Sequence, residues 1–332
     1  MTITPEQANS SSNTEDLEDA SSILRNRMIA FGIKDENINL EVTHEKIIMS
    51  LSNIDTGKLE SIKEIITATT DIGFWETYEN SEVLTLLINA NNKSKELNLG
   101  EEFRPYQKPI ADSADKDELL LQMIDSSEIT QREEYNLENP IFAILYPMVS
   151  SDGLPLPSCL IGLSDAGDTA NVIKLLNRDE ISMFFPRDLK LMWSRDPYKY
   201  DESGRFYELH AIKVTSYNER PVLDGEEIPE AEAISDRSGI NVRLRLMMTH
   251  EGAAKWSAIT GSNIDRCIAV SLDGKIISYP RVMNEITGGS TEISGNFTLP
   301  EAKYFAAVLS SGGMLMPFRL KISDLKLEKI KK

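Results

Sequence analysis

Between Ser271 and Ala302 the chain carries an ordered run of backbone punctuation that constrains its fold more than any other stretch. Asp273-Gly274, between Ser271-Leu272 and Lys275-Ile276-Ile277-Ser278, signals a two-residue hairpin turn. Such a turn needs positive φ, which glycine adopts freely and aspartate tolerates. Gly288, Gly289 and Gly295 lie in Ile286-Thr287-Gly288-Gly289-Ser290-Thr291-Glu292-Ile293-Ser294-Gly295-Asn296-Phe297-Thr298. They let the backbone pass close to another segment where a Cβ would clash. Thr298 is placed as a helix N-cap, with Pro300 and Glu301 in the opening turn. No single dipeptide here is diagnostic; the order of the signals is.

The rest of the chain reads as short elements in alternating order. Residues 1–16 are polar and are expected to be disordered. Leu17, Ile23, Leu24, Arg27, Met28 and Phe31 fall close to helical spacing, and Gly32 stops that helix as its C′ residue. Two extended runs follow, Asn37 to Val42 and Lys46 to Leu51. A second helix from Gly57 to Ala68 presents Leu59, Ile62, Ile65 and Ile66, and a strand runs from Asp71 to Tyr78. Helix, strand, strand, helix, strand is a ferredoxin-like βαββαβ unit lacking its first strand.

Residues 82–138 read as a polar elaboration of helix and loop, with Asn91 to Asp115 as loop. From Pro140 the pattern is α/β. Strands are expected at Ile141 to Tyr146, Cys159 to Leu163, Leu189 to Trp193 and Phe206 to Thr215, with a helix from about Thr169 to Leu176 capped by Asp168. Strand Val242 to Met248, helix Glu251 to Thr260, strands Cys267 to Leu272 and Lys275 to Tyr279, helix Pro300 to Leu309 and strand Phe318 to Ile322 complete a second such order. The last strand either closes this sheet or returns to the N-terminal unit. The return is favoured, because an incomplete sheet would leave an open edge.

At 332 residues the chain can bury two or three cores. It has no run of about 18 apolar residues that could cross a bilayer. Its formal charge of −18, from 35 basic against 53 acidic residues, repels a phosphate backbone and argues against nucleic-acid binding. Met1 to Ala20 has neither a basic nor an apolar region of the signal-peptide kind. Cys159 and Cys267 show no spacing pattern and read as buried free thiols rather than a disulfide.

Catalytic and metal chemistry find little support. None of the three histidines, His44, His210 and His250, stands at metal-ligand spacing with a second ligand. Thr287-Gly288-Gly289-Ser290 lacks the Gly-Lys-Ser/Thr of a phosphate loop. There is no Gly-x-Ser-x-Gly elbow, and neither cysteine has a base beside it in sequence. Asp224-Gly225-Glu226-Glu227 lacks the alternating oxygens of a calcium loop and reads as a solvated acidic turn. The expectation is no enzyme, no cofactor and no metal. Phe184, Phe185, Trp193, Met247 and Met248, with Met314 and Met316, have the composition of an adaptable apolar surface, although core packing is the commoner reason for any one such residue.

The run Ser271 to Ala302 resembles the extracytoplasmic P1 domain of the SecD and SecDF protein-export subunits. Ile23-Leu24-Arg25-Asn26-Arg27-Met28-Ile29-Ala30-Phe31-Gly32 resembles the segment that opens the base of P1. Thr70-Asp71-Ile72-Gly73-Phe74-Trp75-Glu76-Thr77-Tyr78 resembles its last strand in fused SecDF proteins of Bacteroidetes, and Phe184 to Trp193 resembles their head. The resemblance covers about residues 17–80 and 139–322 and implies an α+β fold: a ferredoxin-like βαββαβ base, residues 17–81, and an α+β head, residues 139–313. Residues 314–332 would return to the base.

The resemblance further implies a non-enzymatic export component on the periplasmic side of the inner membrane, in a membrane-embedded parent. Its partners would be unfolded preprotein, a SecYEG-type channel and a SecF-like subunit. Preprotein binding would fall to Phe184, Phe185, Trp193, Met247 and Met248. Gly312 and Gly313, with residues 80–82, would form a hinge between head and base. Asp273, Gly274, Gly288, Gly289, Gly295, Asn296, Phe297 and Thr298 would be structural. The competing reading is a periplasmic or lipid-anchored scaffold of the same fold with no part in translocation.

Overall fold

The structure, a computed structural model, describes residues 1–6, 14–68, 72–106, 126–216, 218–236, 238, 241–294, 297–309 and 319–326. The elements in chain order begin with β1 (Thr2–Pro5), α1 (Thr14–Ala30), β2 (Ile38–Val42), β3 (Ile47–Leu51), α2 (Leu59–Thr67) and β4 (Ile72–Thr77). Next come α3 (Asn80–Glu96), α4 (Ser126–Glu138), β5 (Tyr146–Pro147), β6 (Leu160–Asp165), α5 (Thr169–Leu176), α6 (Asp179–Ser182), β7 (Leu189–Trp193) and β8 (Phe206–Lys213). The C-terminal part holds β9 (Leu223–Asp224), β10 (Glu230–Ser235), β11 (Val242–Met247), α7 (His250–Ser262), β12 (Ile268–Leu272), β13 (Lys275–Ser278), β14 (Ser290–Ser294), α8 (Leu299–Leu309) and β15 (Leu320–Asp324). The fold is α+β, with antiparallel pairing between its named strands.

Two compact units emerge from the packing. One comprises Met1–Trp75, Arg220–Gly274 and Ser278–Lys332; the other comprises Glu76–Glu219 and Lys275–Ile277. Residues 139–313 are thus divided at Arg220.

In the first unit, β15, β1, β3 and β2 form a sheet in that order, all antiparallel. With α1 and α2 between the strands, this is the complete ferredoxin-like order. It corrects two expectations. The first strand is present, because Thr2–Pro5 inserts between β3 and β15, so residues 1–16 are not a disordered tail throughout. The strand at residues 71–78 is not the last strand of this sheet. Instead β4 pairs through Gly73 and Phe74 with Asp224 and Leu223. The fourth position goes to β15, which returns as expected: Ile3 lies opposite Ile322 and Thr4 opposite Lys321.

The apolar face anticipated for α1 is the buried one, with Leu17, Ile23, Leu24 and Met28 all withdrawn from solvent, and Ile62, Ile65 and Ile66 of α2 buried beside them. Each such side chain contributes about 1.5–3 kcal/mol of transfer free energy. Gly32, at φ +94°, ends α1: its N–H donates to the Ile29 carbonyl at 2.9 Å and that of Ile33 to Met28 at 3.0 Å. This is the double reversal for which a residue without Cβ is preferred.

The same unit holds a three-stranded sheet, β10-β11-β14. Leu244, Leu246 and Ile293 are buried on one face, and α8 packs against β10 and β11. On the other face Arg243 and Arg245 reach Glu292 at 2.6 and 3.0 Å. Neither β10 nor β14 was anticipated, so the second βαββαβ order is also corrected: β11 finds its partners in these two strands, and β15 belongs to the first sheet.

In the second unit β8 pairs with β7 and β6, and β5 pairs with β6. Its core gathers Val83, Leu87, Phe103, Ile144, Leu145, Ile161, Leu175 and Leu209. The strand expected at Ile141 to Tyr146 is a helical turn except for Tyr146, with the N–H of Leu145 donating to the carbonyl of Ile141 at 2.8 Å. Burial on all sides makes a short apolar run ambiguous between strand and helix. Asn91 decides it: its Oδ1 accepts the N–H of Ile141 at 3.0 Å. Helix α3 runs on to Glu96, so residues 91–96 are helix rather than loop.

Candidate functional site

The glycine-rich motif is a structural device. Asp273 and Gly274 have φ of 50° and 74°, the two positive values of a type I′ turn. Gly289 has φ 66°, its carbonyl accepts the N–H of Met248 at 2.8 Å, and a Cβ there would stand 3.1 Å from that of Ala253. At Gly288 a Cβ would meet open space, so the close approach expected at both glycines exists only at Gly289. Gly295 and Asn296 lie outside the described residues. Thr298 caps α8: its Oγ1 accepts the N–H of Glu301 at 3.3 Å, while its own N–H donates to the Glu301 carboxylate at 2.7 Å. This reciprocal box satisfies two donors at the helix start. The Phe297 ring meets that of Phe305 edge-on, with centroids 5.4 Å apart.

The five residues read as preprotein-binding fall into two places. Phe184 and Phe185 pack, partly buried, against the core of the second unit, and Trp193 belongs to that core with 8% of its surface exposed. Met247, 41% exposed, ends β11 in the first unit, and the partly buried Met248 follows it. Gly312 and Gly313, like Met314 and Met316, lie outside the described residues. At the other end of the expected hinge, Asn80 is buried, and its Nδ2 donates to the carbonyls of Met148 at 2.6 Å and Leu156 at 3.3 Å.

Two buried polar groups have no forecast role. Arg27 was read as part of the face of α1 and is buried there with its charge. Its Nη1 donates to the carbonyls of Ile65 at 2.9 Å and Ala68 at 2.6 Å, at the end of α2. Among the described residues its Nε and Nη2 have no hydrogen-bond partner. Burial brings the guanidinium down from its ordinary value to about 10, with the nearby Tyr304 and Asp273 opposing that shift.

Cys159, without a base beside it in sequence, has one in space. Its Sγ lies 3.7 Å from Nδ1 of His210, and Nε2 of His210 lies 3.6 Å from the Glu208 carboxylate. Thiol, imidazole and carboxylate stand in the order of a nucleophile, base and orienter. Cys159 and His210 are wholly buried, so no substrate reaches the thiol in this conformation. The pair arises from two strands, β6 and β8, whose register sets Leu160 opposite His210.

The acidic turn at Asp224 is internally satisfied. Asp224 accepts from the N–H of Glu226 at 3.0 Å, Glu227 accepts from that of Asp224 at 3.0 Å, and Lys255 pairs with Glu227. Among the described residues no three His, Cys, Asp or Glu side chains gather as metal ligands, and no helix is long and apolar enough to cross a membrane.

These features define an α+β fold, and its relatives are protein translocase subunits. Residues 202–316 match the family described as SecDF, P1 head subdomain. The chain is 29% identical over 210 residues to the protein translocase subunit SecD of Rhodothermus marinus, covering 63% of this chain and 31% of that one. It is 38% identical over 103 residues to SecD of Acidaminococcus fermentans, covering 31% and 24%. With SecDF of Thermus thermophilus it shares 35% identity over 106 residues, covering 32% and 14%. A solved structure of SecDF, a membrane component that enhances protein export, aligns with 99% of each chain at 18% identity and a TM-score of 0.48. The resemblance to the SecD/SecDF family and its P1 domain is borne out. The chain spans less than a third of the length of the curated relatives named here.

Proposed function

We propose that this chain is the extracytoplasmic P1 domain of a Sec translocase accessory subunit, which engages preprotein emerging on the periplasmic side and assists its export. The observation that carries the reading is the match of residues 202–316 to the P1 head subdomain, together with relatives that are themselves protein translocase subunits. The helices of the described residues are too short or too polar to cross a membrane, so proton flow, and the channel and SecF-like partners, would belong to other parts of the assembly. The domain's contribution is then non-enzymatic: a surface for unfolded polypeptide, moved by the membrane-embedded parts through a hinge at Gly312 and Gly313.

Calorimetry with a preprotein segment, unfolded and then folded, tests this. Selective binding of the unfolded form, with Kd in the micromolar range (about −8 kcal/mol), is the expected result. Absence of binding to both forms would overturn preprotein handling by this domain and favour the scaffold.

A further inference from the structure

The second unit carries an aromatic surface that lies outside the residues singled out for preprotein binding. Tyr146 and Phe206 meet edge-to-face with centroids 5.7 Å apart, and Tyr198 and Tyr200 do so at 5.4 Å. The two pairs are joined by the backbone, since the N–H of Tyr198 donates to the carbonyl of Phe206 at 2.6 Å. Tyr200 is 71% exposed and Tyr146 44% exposed. Large rings left in solvent at such exposure are only partly used by the core and, when clustered, mark an interaction surface.

The surface is held rigidly. The Asp201 carboxylate accepts the N–H groups of Ser203, Arg205 and Phe206 at 3.0, 2.7 and 2.9 Å and the Ser203 hydroxyl at 2.6 Å, locking the loop between the two pairs. A preordered loop loses less conformational entropy on binding.

The chemistry of the partner follows from two contacts. Lys199 Nζ already stands 4.6 Å from the centroid of the Tyr200 ring, so the ring face is in use for a cation. The Asp201 carboxylate stands in the loop between the two pairs, and the Glu208 carboxylate acts, after burial, to hold the Tyr198 phenol above its ordinary value, so carboxylates flank the inner pair. Aromatic faces in a negative field, on a chain of net charge −18, are complementary to apolar segments that carry lysine or arginine.

We infer that Tyr146, Phe206, Tyr198 and Tyr200 form a docking surface for extended polypeptide segments in which apolar residues alternate with basic ones. The inference rests on the preprotein-handling reading and gives it a place and a sequence preference.

The test uses the whole chain and an unstructured 20-residue peptide of Gly, Leu and Lys, with a matched peptide carrying Glu for Lys, followed by calorimetry. Tighter binding of the Lys peptide is expected. The double variant Tyr198→Ala/Tyr200→Ala should weaken it at least about tenfold, as loss of aromatic anchors does. Tyr200→Phe should stay within about twofold, because the ring face is kept. Met283→Ala, a large exposed side chain in the other unit, should leave binding unchanged. Wild-type binding that survives the double variant would overturn this surface and leave the preprotein reading intact. Equal affinity for the Lys and Glu peptides would overturn the charge preference. If neither peptide nor an unfolded preprotein bound, both readings would fall together.

Discussion

Arg27 closes the end of a helix that lies far from it in sequence: its Nη1 donates to the carbonyl of Ala68 at 2.6 Å while the whole side chain is buried. The last carbonyls of a helix have no partner within it, and here a side chain of α1 supplies one to the end of α2. Arg27→Ala would leave those carbonyls unpaired and open a cavity, and should lower the stability of the chain by about 3 kcal/mol. Urea denaturation measures it; a loss within experimental error would mean that the orphaned Nε and Nη2 already cancel the contribution of Nη1.

The box between Thr298 and Glu301 sets the start of α8, the helix that packs on β10 and β11. Thr298→Ala should cost about 1 kcal/mol. Thermal melts of the variant beside Thr298→Asn, which keeps a capping oxygen, separate the cap from a general effect of substitution: the Asn variant should recover most of the loss.

At Gly274 φ is +74° and a Cβ would meet no other atom. The cost of Gly274→Ala is therefore conformational alone, about 1–2 kcal/mol. Gly289→Ala combines a positive φ with a 3.1 Å approach to Ala253 and should cost more. A denaturation series comparing the two substitutions checks the ranking.

Asp201 gives a pH dependence. Hydrogen bonds, the Ser203 hydroxyl first, pull its carboxyl from 3.8 down to about 2. A carboxylate depressed in the folded state stabilises it fully above the unfolded value, and that contribution is lost as pH falls through the folded one. The window is therefore about pH 4 down to pH 2. Carboxyl chemical shifts should place the Asp201 midpoint near 2, and Asp201→Asn should flatten that part of the stability profile; an unshifted midpoint would contradict the loop geometry.

Cys159 and Cys267 are both buried thiols, not joined in a disulfide. An aromatic disulfide reagent should label neither in native buffer and both in denaturant, since reactivity requires an exposed thiolate. Rapid labelling of Cys159 in native buffer would show that the His210 pair opens to solvent.

Much of the local structure was legible because its causes are local. The buried face of α1, the glycine that ends it, the turn at Asp273-Gly274 and the cap at Thr298 each depend on residues within a few positions of one another. The resemblance to P1 was carried by the same segments, and the matched head subdomain, residues 202–316, covers the turn at Asp273-Gly274 and the cap at Thr298. The missed features are those in which partners come from afar. Tyr146, Tyr198, Tyr200 and Phe206 give no periodic signal, and they meet only because strands β5, β6 and β8 lie side by side. Cys159 and His210 were not read together, because the register of β6 on β8, which no local pattern records, is what brings them within 3.7 Å.

The sequence by itself determined several helices and strands, the turn and the caps between them, and that the product is an α+β fold of net charge −18, since φ preferences and apolar spacing act along the chain. Tertiary structure alone decided which strand joins which sheet. Thr2–Pro5 is four residues with one buried apolar side chain, too short to read as a strand, yet it sits between β3 and β15 and completes the base. Strand β4 looks equally suited to that sheet and goes elsewhere, because backbone donors and acceptors are alike in every strand, and only the burial of their side chains in a shared core selects the partner.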